Sequence, residues 1–181
     1  MEKNWKAIVY FDRPGQDNTD EVLDVVQRRF EEGDISNILV ATTKGVTGLK
    51  FSRAFKNKAK VVAISHEKIE VDYRKEMEEL GAKTVDGSHL PFHAKGMDVV
   101  RDALLLMGQG FKVCLELALI ATDKGIVHPY NYVIAVGGTS RGADTAIVVK
   151  TTTTAEAFSK DESKRLEVRE ILCMPLKKSW L

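Results

Sequence analysis

Residues 37–48, NILVATTKGVTG, constrain this chain more than any other stretch. The apolar run 38–41 reads as a short buried strand. It passes directly into Thr42, Thr43, Lys44, Gly45, Val46 and Thr47, and a helical pattern follows with Leu49, Phe51, Ala54 and Phe55. Such a turn presents backbone N–H groups and hydroxyls at a helix N-terminus, where the dipole favours an anion, usually a phosphate.

The same alternation recurs along the chain. Residues 7–11 (AIVYF) read as a strand, and Pro14-Gly15 punctuates the loop after it. Asn18 is the expected N-cap of the next helix, with Glu21 as its capping-box partner. Val22, Val25, Val26 and Phe30 follow at helical spacing, and Gly33 ends the helix. Residues 61–64 (VVAI) are apolar on both faces, as a strand covered on two sides should be. Tyr73, Met77 and Leu80 mark a short helix, residues 83–85 a weak strand, and residues 91–107 a longer helix. Residues 111–124 are apolar almost all round, the pattern of a deeply buried helix. Residues 132–136 (YVIAV) form another strand, which runs into the turn GGTSRGAD and returns at 145–149 with a spacing suited to an antiparallel hairpin. Residues 151–164 read as a surface excursion with about one helical turn, 170–174 as a last strand, and 177–180 as a tail. Strands alternating with helices imply an α/β fold whose sheet is mostly parallel and covered on both faces. Ligands bind such sheets beyond the carboxyl ends of the strands, where the strand order reverses. Both glycine-rich turns leave strands at that end, so neighbouring strands would place them in one cleft.

A chain of 181 residues holds one ordinary domain with a full core, and no linker divides it. Net charge is +1, with 27 Lys/Arg against 26 Asp/Glu, which argues against a nucleic-acid binder driven by counterion release. Cys114 and Cys173 lie in apolar runs without metal spacing and read as reduced core thiols. The N-terminal apolar segment is too short for a signal peptide, and no stretch spans a bilayer, so a cytoplasmic protein is expected.

Two readings compete for the turn ATTKGVTG: a strand–helix connection with hydroxyl caps, or a phosphate cradle. Hydroxyls from Thr42, Thr43 and Thr47, together with Lys44 and Gly45, exceed what a cap requires and favour the cradle. The turn is not a Walker A loop. In the second turn, Gly137, Gly138, Thr139, Arg141, Gly142 and Asp144 either make a tight strand connection or contribute a ligand loop. Arg141 offers a planar donor fork for phosphate or a carbonyl-rich ring, and Asp144 would pair with it and stiffen the turn. MGQGFKV follows a helix rather than a strand, which rules out a dinucleotide fingerprint and leaves packing or ligand approach. Glu116 in an apolar helix is either paired, with Lys112 one turn earlier as the natural partner, or turned into the cleft. His66 ends a strand at the ligand edge. His89 and His93 lack the third ligand of a metal motif, so no metal site is expected. The run Lys56, Lys58 and Lys60 reads as a solvated surface.

NILVATTKGVTGLKFSRAFKNKAKVVAIS resembles the first half of the C-terminal domain of pyruvate kinase, and YVIAVGGTSRGADTAIVVK resembles its last strand pair. The likeness extends to a small family of stand-alone archaeal and bacterial proteins of that fold, on VYFDRPGQDNTDEVL, MGQGFKVCLELALIATDKG and REILCMP. This resemblance implies a three-layer α/β/α sandwich with one antiparallel strand. It implies no kinase activity, because the barrel domain and catalytic residues are missing. By analogy with the allosteric sugar-bisphosphate site, Thr42, Thr43, Lys44, Gly45 and Thr47 would hold a phosphate, and the stand-alone family points to flavin mononucleotide (FMN) as the ligand. The segments after Ser65 and after Lys150 depart from those relatives. The leading expectation is therefore an FMN-binding protein whose reaction is not specified. The alternatives are a non-catalytic sensor of a phosphorylated metabolite, and an oligomeric interaction protein.

Overall fold

The computed structural model describes residues 3 and 5–179, so Trp180 of the expected tail lies outside the described residues. Seven strands form one sheet in the order β1-β7-β6-β5-β2-β3-β4. The strands are β1 (Val9–Phe11), β2 (Asn37–Ala41), β3 (Lys60–Ile64), β4 (Lys83–Val85), β5 (Tyr132–Gly137), β6 (Thr145–Lys150) and β7 (Glu167–Pro175). Only β6 runs antiparallel to its neighbours, β5 and β7; every other pairing is parallel. The helices are α1 (Thr19–Phe30), α2 (Val46–Ala54), α3 (Val71–Glu79), α4 (Asp98–Leu105) and α5 (Gln109–Asp123).

Strand alternation divides the apolar residues into two cores. Ile38 and Val40 of β2 face α1, α2 and α3, meeting Val22, Val26, Phe51 and Met77. Leu39 of the same strand faces the other way, onto Cys114, Leu117 and Ala118 of α5. The result is the three-layer α/β/α sandwich, with α5 as the buried helix expected from its all-round apolar pattern: Cys114 through Ile120 are each at most 4% exposed. Burying such bulky side chains contributes about 1.5–3 kcal/mol apiece, which offsets the entropy of ordering the layers. Both cysteines are free and buried. Burial pushes both thiols up, Cys173 to about 12. Among the described residues no helix is long and apolar enough to cross a membrane.

Several local expectations are corrected. Asn18 does not cap α1 with its side chain: its backbone is already helical, and its amide donates to the carbonyls of Arg13 (2.8 Å) and Gly15 (3.2 Å), closing the preceding loop. The helix expected over 91–107 breaks into a short turn at Pro91–His93 and then α4, because Gly96 takes φ +88° and the chain is extended at Ala94. Thr151 and Thr152 are fully buried rather than at the surface. The Thr151 hydroxyl donates to the carbonyl of His128 at 2.8 Å and accepts from the N–H of Asn131 at 3.2 Å. The first strand starts at Val9, not Ala7, since at the sheet edge it pairs only with Cys173, Met174 and Pro175.

Candidate functional site

β2 and β5 are parallel neighbours, with Ile38, Leu39 and Val40 opposite Ile134, Ala135 and Val136. After β2 the chain moves outward to β3; after β5 it moves the other way, to β6. The β2/β5 boundary is thus a switch point, where a crevice opens beyond the carboxyl ends of the strands. A cleft of about 270 Å³ lies there, just below the ~300–1,000 Å³ of small-molecule pockets. Thr42, Thr43 and Thr47 line one side, and Gly138, Ser140 and Gly142 another. The wall between them comes from α5, with Gln109, Lys112, Val113, Glu116, Leu117 and Ile120, and His66, Leu90 and His93 close the rim.

The first turn is held by its own chemistry. Gly45 has φ +126°, and a Cβ there would lie 2.5 Å from Cβ of Tyr73, so both backbone and space require glycine. The Gly45 N–H donates to the Thr42 hydroxyl at 3.1 Å, and the Ser65 hydroxyl donates to the Thr43 carbonyl at 2.9 Å. The first bond of α2 runs from the Leu49 N–H to the Gly45 carbonyl at 2.8 Å. The N–H groups before it have no intrahelical acceptor and lie at the end of α2 that carries its positive dipole. Lys44 is exposed and pairs with Glu67 at 2.8 Å, outside the cleft lining. Val46 is also exposed outside it.

The second turn is anchored from below. Asp144 is fully buried. One of its oxygens accepts from the N–H groups of Thr139 and Gly15, each at 3.0 Å, and the other from the Thr145 hydroxyl at 2.8 Å. The expected Arg141–Asp144 pair does not form, because the carboxylate is enclosed by these donors; Arg141 is exposed and makes no ion pair among the described residues. Gly137 meets the start of α5 so closely that a Cβ on it would lie 2.3 Å from the Gly110 carbonyl oxygen. A Cβ on Gly110 would meet the Thr145 hydroxyl at 2.4 Å. The two glycines let α5 approach the sheet, which accounts for the MGQGFKV spacing as packing.

One wall of the cleft carries a buried ion pair. Lys112 and Glu116 are each 1% exposed, with Nζ and Oε2 3.0 Å apart. The second Glu116 oxygen accepts from the Phe92 N–H at 3.3 Å, and Lys112 Nζ lies 3.1 Å from His93 Nε2. Burial, and then the Lys112 charge, hold the His93 imidazole below its ordinary pKa. Nearby, Gln109 Oε1 is buried without a hydrogen-bond partner among the described residues.

The family model for the pyruvate kinase alpha/beta domain matches residues 20–149, most of the chain and every residue that lines the cleft. The chain belongs to the pyruvate kinase alpha/beta domain family. Among solved structures, an O-ureido-L-serine synthase aligns at 21% identity over 49% of this chain and 29% of that one, with a TM-score of 0.33. A superposition that loose says nothing about chemistry in this pyruvate kinase alpha/beta domain.

Within this family member, the cleft gathers Thr42, Thr43, Thr47, Gly138 and Gly142 from the two turns, with His66, Lys112 and Glu116. Lys44, Gly45, Val46, Gly137, Thr139, Arg141 and Asp144 lie outside its lining; Gly45, Gly137, Thr139 and Asp144 shape the turns from behind. Gln109, Ser140 and His93 line the cleft without having been singled out as ligand residues. Gln109 and Ser140 had a signal, their place inside glycine-rich turns. His93 had none, since its contact with Lys112 lies 19 residues away in sequence, through a short turn docked on α5 by the Phe92 N–H.

Proposed function

We propose that the cleft binds a phosphate-bearing ligand, with FMN the leading candidate. The observation that carries this reading is the meeting of α2's free N–H groups and the Thr43 and Thr47 side chains with the β5–β6 turn at a reversal of strand order. Thr43, Thr47 and the free N–H groups that open α2 would hold the phosphate, with Thr42 and Gly45 fixing the turn's shape and Lys44 adding charge from the rim. Apolar Val113, Leu117 and Ile120 suit the face of a ring, and the unpartnered Gln109 Oε1 suits a ring N–H. A bound flavin supplies electron-transfer chemistry, while the protein binds and orients it. Two free buried thiols fit a reducing, cytoplasmic setting.

The small cleft favours a second reading, a sensor for a phosphorylated metabolite of sugar-phosphate size. Titration of purified protein with FMN, followed by quenching of flavin fluorescence, separates the two. Saturable quenching supports FMN. No quenching, with binding of a sugar phosphate in calorimetry, supports the sensor. Binding of neither rejects both.

A further inference from the structure

We infer that Lys112 and His93 form a second recognition subsite in the cleft, apart from the Thr42–Thr47 turn, that receives a carbonyl or ionised ring oxygen at the non-phosphate end of the ligand. The inference rests on the phosphate reading above and extends it to the ligand's chemical class: a phosphomonoester that carries a carbonyl-bearing ring or acyl group.

A lysine ammonium has three protons to donate. Glu116 Oε2 at 3.0 Å takes one and His93 Nε2 at 3.1 Å takes another. Among the described residues no other acceptor meets Nζ, although the side chain is 2% exposed and lines the cleft. An imidazole that accepts at Nε2 carries its proton on Nδ1, so His93 also offers a donor. Glu116 is committed at both oxygens, to Lys112 and to the Phe92 N–H, and thus balances the charge and fixes the Lys112 rotamer.

A well-packed apolar pair would serve a core as well as this ion pair or better, because burying two charges costs several kcal/mol in desolvation. The pair borders a ligand-sized space, one turn along α5 from the orphaned Gln109 Oε1. A Lys112 proton, His93 and Gln109 together offer donors and an acceptor for the edge of a polar ring, whereas the turn after β2 offers only backbone N–H groups and hydroxyls, suited to a phosphate.

The test uses two probes, FMN and ribitol 5-phosphate, which keeps the phosphate and chain but lacks the ring. Three proteins are compared by calorimetry: wild type, His93→Ala, and the paired Lys112→Met/Glu116→Met variant. The pairing avoids leaving a lone buried charge, and the exposed His93 gives a variant whose fold is not at risk. The expected result is FMN binding weakened about tenfold or more in each variant, the size of one lost charge-assisted hydrogen bond, with ribitol 5-phosphate binding unchanged. Equal loss for both probes, or no loss for FMN, overturns the subsite. Equal affinity of wild type for the two probes also overturns it while leaving the phosphate reading intact. Failure of wild type to bind either probe overturns both.

Discussion

The Asp144 carboxylate accepts a hydrogen bond from the Gly15 backbone N–H at 3.0 Å, across 129 residues of sequence. The loop after β1 thereby braces the turn between β5 and β6. Thr19 adds to the brace, its hydroxyl accepting from the Ala143 N–H at 3.0 Å. The candidate cleft is thus braced by a contact between the loop after β1 and a turn 129 residues later.

Asp144→Ala removes the acceptor for two backbone N–H groups and a hydroxyl. Each buried donor left unsatisfied costs about 1–3 kcal/mol, so urea unfolding should show a loss of at least ~2 kcal/mol. A change within ~0.5 kcal/mol would mean that water or backbone movement replaces the carboxylate.

Gly137→Ala tests the close approach of α5. The added Cβ meets backbone, the Gly110 carbonyl, which has no rotamer to yield. Overpacking of this kind costs about 1–3 kcal/mol, and thermal melts should fall accordingly. Gly33→Ala is the control for added bulk, because a Cβ there meets nothing within 4 Å; only its φ of +83° resists the change.

The turn after β2 separates into Thr42, Thr43 and Thr47, which line the cleft, and Lys44 and Val46, which do not. Thr43→Val with Thr47→Val should weaken FMN or sugar-phosphate binding about tenfold or more, since hydrogen bonds to charged groups are worth about 1.5–3 kcal/mol each. Lys44→Ala should do less, because Lys44 is tied to Glu67 at the rim. Calorimetry showing the reverse order would move the anion seat outward to the rim.

Acid sensitivity should come from a network far from the cleft. Arg29, 5% exposed, donates to both oxygens of Asp34 and both of Glu170. The Arg29 hydrogen bonds hold Asp34 below the usual carboxylate range. For Glu170 burial pushes upward, but hydrogen bonds from Arg29 and Lys6 prevail and its pKa is also lowered. Carboxylates with depressed folded pKa values contribute stability that is present above their unfolded values, about 4, and is lost as pH falls through the folded ones. Wild type should therefore lose stability steeply below about pH 4. In Arg29→Met, already weaker at neutral pH, that slope should flatten; an unchanged slope in acid denaturation would assign it to other groups.

Much of this architecture was legible because it rests on local pattern. Residues 61–64 and 132–136 read as strands from their apolar runs, and the antiparallel β6 followed from the length of the intervening turn. The three-layer sandwich and family membership came through as well. The commitments of individual side chains were not legible. Asn18 has the chemistry of a cap, but its amide is claimed by Arg13. Asp144 has a nearby arginine, but its oxygens are taken by the N–H groups of Thr139 and Gly15 and the Thr145 hydroxyl. His93 meets Lys112 from a short turn, Pro91–His93, where the sequence pattern reads as continuous helix.

The most direct test is a backbone amide NMR titration of the protein with FMN. The account predicts saturable shifts centred on the amides of Val46, Thr47, Gln109, Gly138 and Gly142. Shifts confined to the opposite edge of the sheet around Arg29, or no shifts at all, would contradict it.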